Sequence, residues 1–386
     1  MDRLPARLCD KIISYVVTPE PRVLRVDDTA RPRDDPRPHL STFSILSRGW
    51  QFSIERHVFR TLSITNNDPE GLNRIVTPWR RNNVRELYLT VNSLDYDDEP
   101  SEEYETNDER AVNNAIATSA VKRLFAILGI WGGDENLELK LHLGFTSPGD
   151  KVRGEGESLR HRGTDEKRYE YSFVTLDGVE DFAKVPGVTM LQSHGTRPIE
   201  LHSLYGLTWR LPRAACALWN TVEAEPFAPL RREQRDRFVV AVESNPCRIP
   251  LVLQVTIEQP ARNLGEALPN LATPYAYDRV SSAFRQLSLG ITDFRFVGIA
   301  DETLLWPSPV QAQAAEPYWE NLTSLNIELS LQSPLGKWYF LSQHGSVPSD
   351  LPIPDHVPGF LPPGYYDTEE ESMEAIEYAE SLQQPV

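Results

Sequence analysis

Six short segments of this chain alternate apolar and polar residues, and that pattern constrains its fold more than any other feature. The segments are Leu62-Ser63-Ile64, Leu87 to Val91, Leu137 to Leu143, Leu251 to Ile257, Leu287 to Ile291 and Leu325 to Leu331. Successive side chains of a strand point to opposite faces, so each segment predicts a strand with one buried face. Helical patterns precede several of them. Between Asn107 and Trp131 the apolar residues Val112, Ile116, Ala120, Leu124 and Leu128 recur every four positions, and Gly132-Gly133 stops the run. Arg231 to Ser244 and Tyr277 to Phe284 predict two further helices.

The first residues of successive strands lie 25, 50, 114, 36 and 38 positions apart, so the longest gap must hold further units, with Ile199-Glu200-Leu201 as one candidate. Units of this kind bury their strand faces only against neighbours. That predicts an irregular leucine-rich-repeat-like α/β solenoid over residues 61–345, with an ordinary α/β sandwich as the alternative. On the polar positions of the strands stand Tyr88, Lys140, His142, Gln254, Thr256, Asn326 and Glu328. They are candidate contacts for a target protein and, taken singly, ordinary solvent-facing residues.

Residues 1–60 follow another pattern. Leu4, Leu8, Ile12 and Val16 stand four apart with Pro5 at a first-turn position, and Phe43, Leu46, Trp50, Ile54 and Phe59 suit two short helices broken near Arg48-Gly49. Between these segments, residues 18–39 carry Pro19, Pro21, Pro32, Pro36 and Pro38 among mixed charges, which predicts a polar insert. Some sixty residues cannot bury all of this apolar surface alone, so a small all-α module that packs on a partner is expected. Residues 346–386 read as a Pro-rich acidic tail, in which a capping box of Thr368 and Glu371 and the residues Met373, Ile376, Ala379 and Leu382 predict a terminal helix.

The net charge of −17 lies in two tracts. Residues 92–110 hold nine acids against Arg110, and residues 350–386 hold nine acids and no base. Each tract reads as a solvated segment or as a docking site for a basic partner. An acidic balance repels nucleic acid and anionic membrane, and the longest weakly polar run, Leu124 to Gly133, is too short to span a bilayer. Cys9, Cys216 and Cys247 stand at no metal-binding spacing and read as reduced thiols of a cytoplasmic or nuclear protein. Phosphate-loop, nucleophile-elbow and zinc-helix motifs are all missing, and His194, beside Ser193, has no identifiable third catalytic partner. No catalytic residue, metal or cofactor is expected, and the chain does not read as an enzyme.

Leu4-Pro5, Ile12-Ile13, Tyr15-Val16, Leu46-Ser47-Arg48-Gly49-Trp50, Glu55 and Phe59-Arg60 together resemble an F-box, the motif that docks onto the Skp adaptor of cullin-RING ubiquitin ligases. The chain departs from that pattern in its insert and in Ala6-Arg7, where the family often carries an acid. Trp50-Gln51, Ile54-Glu55-Arg56, Leu305-Trp306-Pro307, Tyr318 to Leu322 and Gly336 to Phe340 extend the likeness to the fungal F-box proteins. The resemblance implies the substrate-recognition subunit of an SCF-type ligase. Leu4, Pro5, Leu8, Ile12, Leu46 and Trp50 would then face the Skp-type adaptor and through it a cullin, while the strand face holds a target protein. The alternative is a stand-alone interaction scaffold whose amino-terminal segment is structural.

Overall fold

Eight strands form a single sheet in which each is hydrogen-bonded beside its neighbour in sequence, and every pairing is parallel. The computed structural model describes Leu8, residues 11–13, 48–95, 105–131, 137–147, 172–195, 197–222, 228–245, 251–258, 270–307 and 317–337, and Tyr339. The strands are β1 (Thr61–Thr65), β2 (Glu86–Asn92), β3 (Leu139–Thr146), β4 (Val188–Gly195), β5 (Cys216–Val222), β6 (Val252–Glu258), β7 (Asp293–Gly298) and β8 (Ser324–Leu329). Parallel neighbours cannot be joined by a tight turn and need crossovers, which helices supply. Those described are α1 (Arg48–Val58), α2 (Pro69–Ile75), α3 (Pro78–Arg81), α4 (Asn107–Trp131), α5 (Leu201–Trp209), α6 (Ala228–Ser244) and α7 (Arg279–Ser288). None is long and apolar enough to cross a membrane.

One face of the sheet carries the core. Leu87, Leu89, Leu141, Leu143, Leu191, Ala217, Trp219, Leu253, Val255, Phe294 and Phe296 are buried there against Leu124, Phe125 and Leu128 of α4, Leu204 and Tyr205 of α5, Phe238 of α6 and Phe284 of α7. The Trp219 ring meets Tyr205 and Phe238 edge to face at 6.4 Å, and Phe284 lies 5.3 Å from Phe296. Aromatic edges of this kind add a fraction of a kcal/mol or more, about 0.5–1.5 each, to the burial itself. Helices α4 to α7 all contribute to this one core, so the opposite face is left without a described helix.

This architecture overturns the expected fold class. The described residues build one continuous eight-stranded parallel α/β sheet, not an all-α F-box-like module followed by an irregular leucine-rich-repeat-like solenoid. A helix followed by an alternating strand is the local signature of any parallel crossover, and the long-range pairing that decides the assembly is not written in it. Helix α1 connects directly to the sheet. It runs within three residues of β1, Phe59 packs against the common core, and Glu55 pairs with Arg80 of α3 at 2.9 Å.

Single elements also differ. The segment Leu287 to Ile291 is the end of α7 and the turn after it, because Asp278 caps α7 by accepting the N–H groups of Val280 and Ser281. The strand is Asp293–Gly298, with Phe294 and Phe296 inward. β4 and β5 occupy the long gap, whereas Ile199 makes only an isolated bridge to Val174 and Leu201 opens α5. In β8 the apolar Leu325 and Leu329 are more than two-fifths exposed. The insert at 18–39 and the terminal helix expected at 371–382 lie outside the described residues.

Candidate functional site

Strand register decides which polar residues can act together. Reading across the sheet, Ser63, Tyr88, His142, Gln192, Leu218, Gln254, Arg295 and Asn326 form one row, one residue from each strand. A second row toward the carboxyl ends runs through Thr90, Gly144, His194, then Asn220, Thr256, Val297 and Glu328. Both rows lie opposite the core, since their strand neighbours Leu87, Leu141, Leu253 and Phe294 point into it. All seven strand residues predicted from the sequence therefore share one face. With neighbouring strands about 4.8 Å apart, Tyr88 and Asn326 stand roughly 29 Å from each other along the sheet.

The β2–β4 end of this face is aromatic. Tyr88 stacks on His142 with ring centroids 4.1 Å apart and planes 13° from parallel, and His194 tilts against both at 6.2 and 6.4 Å. Gly144 makes room for the third ring, because a Cβ there would lie 2.4 Å from His194 Cε1. Burial lowers the His142 pKa, with Lys140 acting in the same direction while Glu86 and Gln192 oppose it. Burial, and then the neighbouring His142, hold His194 down at about 4. Burial and the nearby Glu86 raise the Tyr88 phenol. At neutral pH this end is thus an uncharged aromatic patch, bordered by the Glu86–Lys140 pair at 3.4 Å. His142 is 7 % exposed, so it supports the patch from below rather than standing out as a solvent-facing contact.

The β6–β8 end is polar. Gln254 and Thr256 are half-buried, and Asn326 and Glu328 are exposed, with Arg295 between Gln254 and Asn326 in the register. Gln192 and Arg295 escaped the sequence reading because their strands did. His194 was visible only as the neighbour of Ser193, and that pair cannot cooperate. Strand alternation sends the two side chains to opposite faces, and the Ser193 Oγ both accepts the Asn220 N–H and donates to the Asn220 carbonyl. Among the described residues no group of three or more His, Cys, Asp or Glu side chains is placed to hold a metal ion.

Of the predicted adaptor contacts, Leu4, Pro5 and Leu46 lie outside the described residues. Leu8 and Ile12 are helical, one turn apart, and 47 % and 41 % exposed, while the adjacent Ile13 is 2 % exposed. Trp50 is half-buried in α1. The described amino-terminal residues thus turn one apolar side inward and leave another facing out. The chain matches no known family, no curated protein and no solved structure.

Proposed function

We propose that this chain is a recognition subunit that holds a target protein on the sheet face that carries no described helix and docks an adaptor through its amino-terminal helical segment, as the substrate receptor of a cullin-RING ubiquitin ligase does. The observation that carries the reading is the face itself: two registered rows, about 29 Å from β2 to β8, aromatic at one end and polar at the other. A surface of that length suits a protein segment better than a small molecule, whose sites are enclosed. Tyr88 is the expected anchor, since a stacked, half-buried ring offers large contact area at small entropy cost. The outward pair Leu8 and Ile12 supports a docking role for the amino-terminal segment. In this role the protein contributes geometry, raising the effective concentration of target near a transferase.

Affinity purification of the full chain tests the reading. Recovery of a Skp-type adaptor and a cullin is expected, with Leu8→Asp and Ile12→Asp together abolishing it. Target proteins recovered without any adaptor would assign the chain to the stand-alone scaffold instead.

A further inference from the structure

Among the described strands β8 is the last of the sheet and has a neighbour on one side only. Ser330 donates its N–H to the Gly298 carbonyl at 2.9 Å, so the even-numbered residues of this strand turn their backbone toward β7. The N–H and C=O groups of Leu325, Ile327 and Leu329 therefore point away from the sheet, and no described residue bonds to them. Past the strand the Leu331 carbonyl accepts the Tyr339 N–H at 3.0 Å, which limits the open edge to β8 itself.

The side chains at the same three positions are apolar. Register with Phe294 and Phe296 puts Leu325 and Ile327 on the core face, yet Leu325 and Leu329 are exposed where Phe294 and Phe296 are buried. In the crossover from β7 into β8, Leu305, Trp306 and Tyr318 are exposed as well. Sheet edges are commonly guarded by lysine or proline, and the six residues of β8 hold neither. Its one charge, Glu328, lies on the opposite face. The other edge strand differs, since Leu62 and Ile64 of β1 are half-buried against the core.

We infer that β8 pairs with β8 of a second copy of this chain, antiparallel about a two-fold axis through Ile327. Only registers that set odd residues opposite odd ones keep the apolar side chains on one face and let the outward backbone groups bond. Centred on Ile327, Leu325 meets the partner's Leu329 and Ile327 meets the partner's Ile327, each pair exchanging backbone hydrogen bonds in both directions. On the other face Glu328 stands opposite the partner's Asn326. Centring on Asn326 would leave Leu329 opposite Thr323, and centring on Glu328 would set two carboxylates against each other. The strand is thus self-complementary in one register, as an isologous interface requires. The axis stands perpendicular to the sheet, so the open faces of the two copies become continuous. Six residues a side is fewer than the roughly 20–30 of a standard interface, so the dimer is expected to depend on concentration. The inference is independent of the ligase reading, because it needs neither adaptor nor target.

Sedimentation velocity of the full chain across micromolar concentrations tests it, together with hydrogen exchange of β8. A reversible monomer–dimer equilibrium is expected, with the amides of Leu325, Ile327 and Leu329 more protected as concentration rises. Leu325→Asp with Leu329→Asp should weaken the dimer tenfold or more at an unchanged melting temperature. Should that variant fail to fold, the exposed Asn326 reads the register by itself. Asn326→Glu should weaken the dimer severalfold by facing the partner's Glu328, and Asn326→Lys should strengthen it severalfold. A monomer at every concentration would overturn the inference, whether the β8 amides exchange freely or are shielded by the chain's own residues. So would a dimer indifferent to these substitutions, or open-ended association, the mark of β8 meeting β1 head to tail.

Discussion

His194 is an imidazole that the fold keeps neutral, with a pKa near 4 against an ordinary value of 6.5. The unfolded chain therefore binds more protons between those values, and the stabilising contribution is complete above pH 6.5 and is lost as pH falls toward 4. Between pH 7 and pH 5 the loss from this residue is about 2 kcal/mol. Urea unfolding at the two pH values should show a difference that His194→Phe removes; identical pH dependence in both proteins would contradict the assignment. Gly144→Ala acts on the same ring from below. The new Cβ forces His194 aside, so histidine NMR should find its titration moved up toward the ordinary range at a stability cost of roughly 1 kcal/mol. An unmoved titration would show that the ring does not rest there. The alternation in β3 made the outward position of His142 readable, but its burial depends on the Tyr88 ring one strand away, which no local pattern reports.

At the scale of elements, the acidic tract at 92–110 misled where it meets α4. Glu105, two residues ahead of that helix, is fully buried, as is its partner Arg197 at 2.7 Å, and Ser172 donates to the same carboxylate. Composition reads such a residue as solvated, because the arginine that buries it lies 92 positions away. Removing one member of a buried ion pair leaves the other uncompensated, so Glu105→Ala should cost about 3–5 kcal/mol. Denaturant melts showing less than 1 kcal/mol would place the pair in effective contact with water. Helix α4 itself was legible to its last residue, since its four-residue apolar period is long and Gly132-Gly133 follows. Strand β7 was not, because Leu287 and Ile291 satisfy a strand period and a helical one equally, and the cap at Asp278 decides for the helix.

For the whole molecule, the sequence announced strands and crossovers but not their assembly into one parallel sheet, since hydrogen-bonded order is a property of residues far apart. What survives that correction is the common face. Tyr88, Lys140, Gln254, Thr256, Asn326 and Glu328 come from four strands and share it because period-two alternation is kept in each. The strand order has no reversal, so the crevice that a reversal opens at the carboxyl ends of a parallel sheet has no counterpart among the described strands, and recognition is expected on the broad face instead. Tyr88→Ala with Gln254→Ala should then lower target capture at least tenfold while leaving the melting temperature within a few degrees; undiminished capture would move the contact surface off this face. The claim that joins the two ends of the protein is adaptor docking. Calorimetric titration of the full chain with a purified Skp-type adaptor tests it most directly. One-to-one binding is expected, weakened a hundredfold or more by Leu8→Asp with Ile12→Asp without unfolding of the sheet, and the absence of any binding by the wild-type chain would contradict adaptor docking.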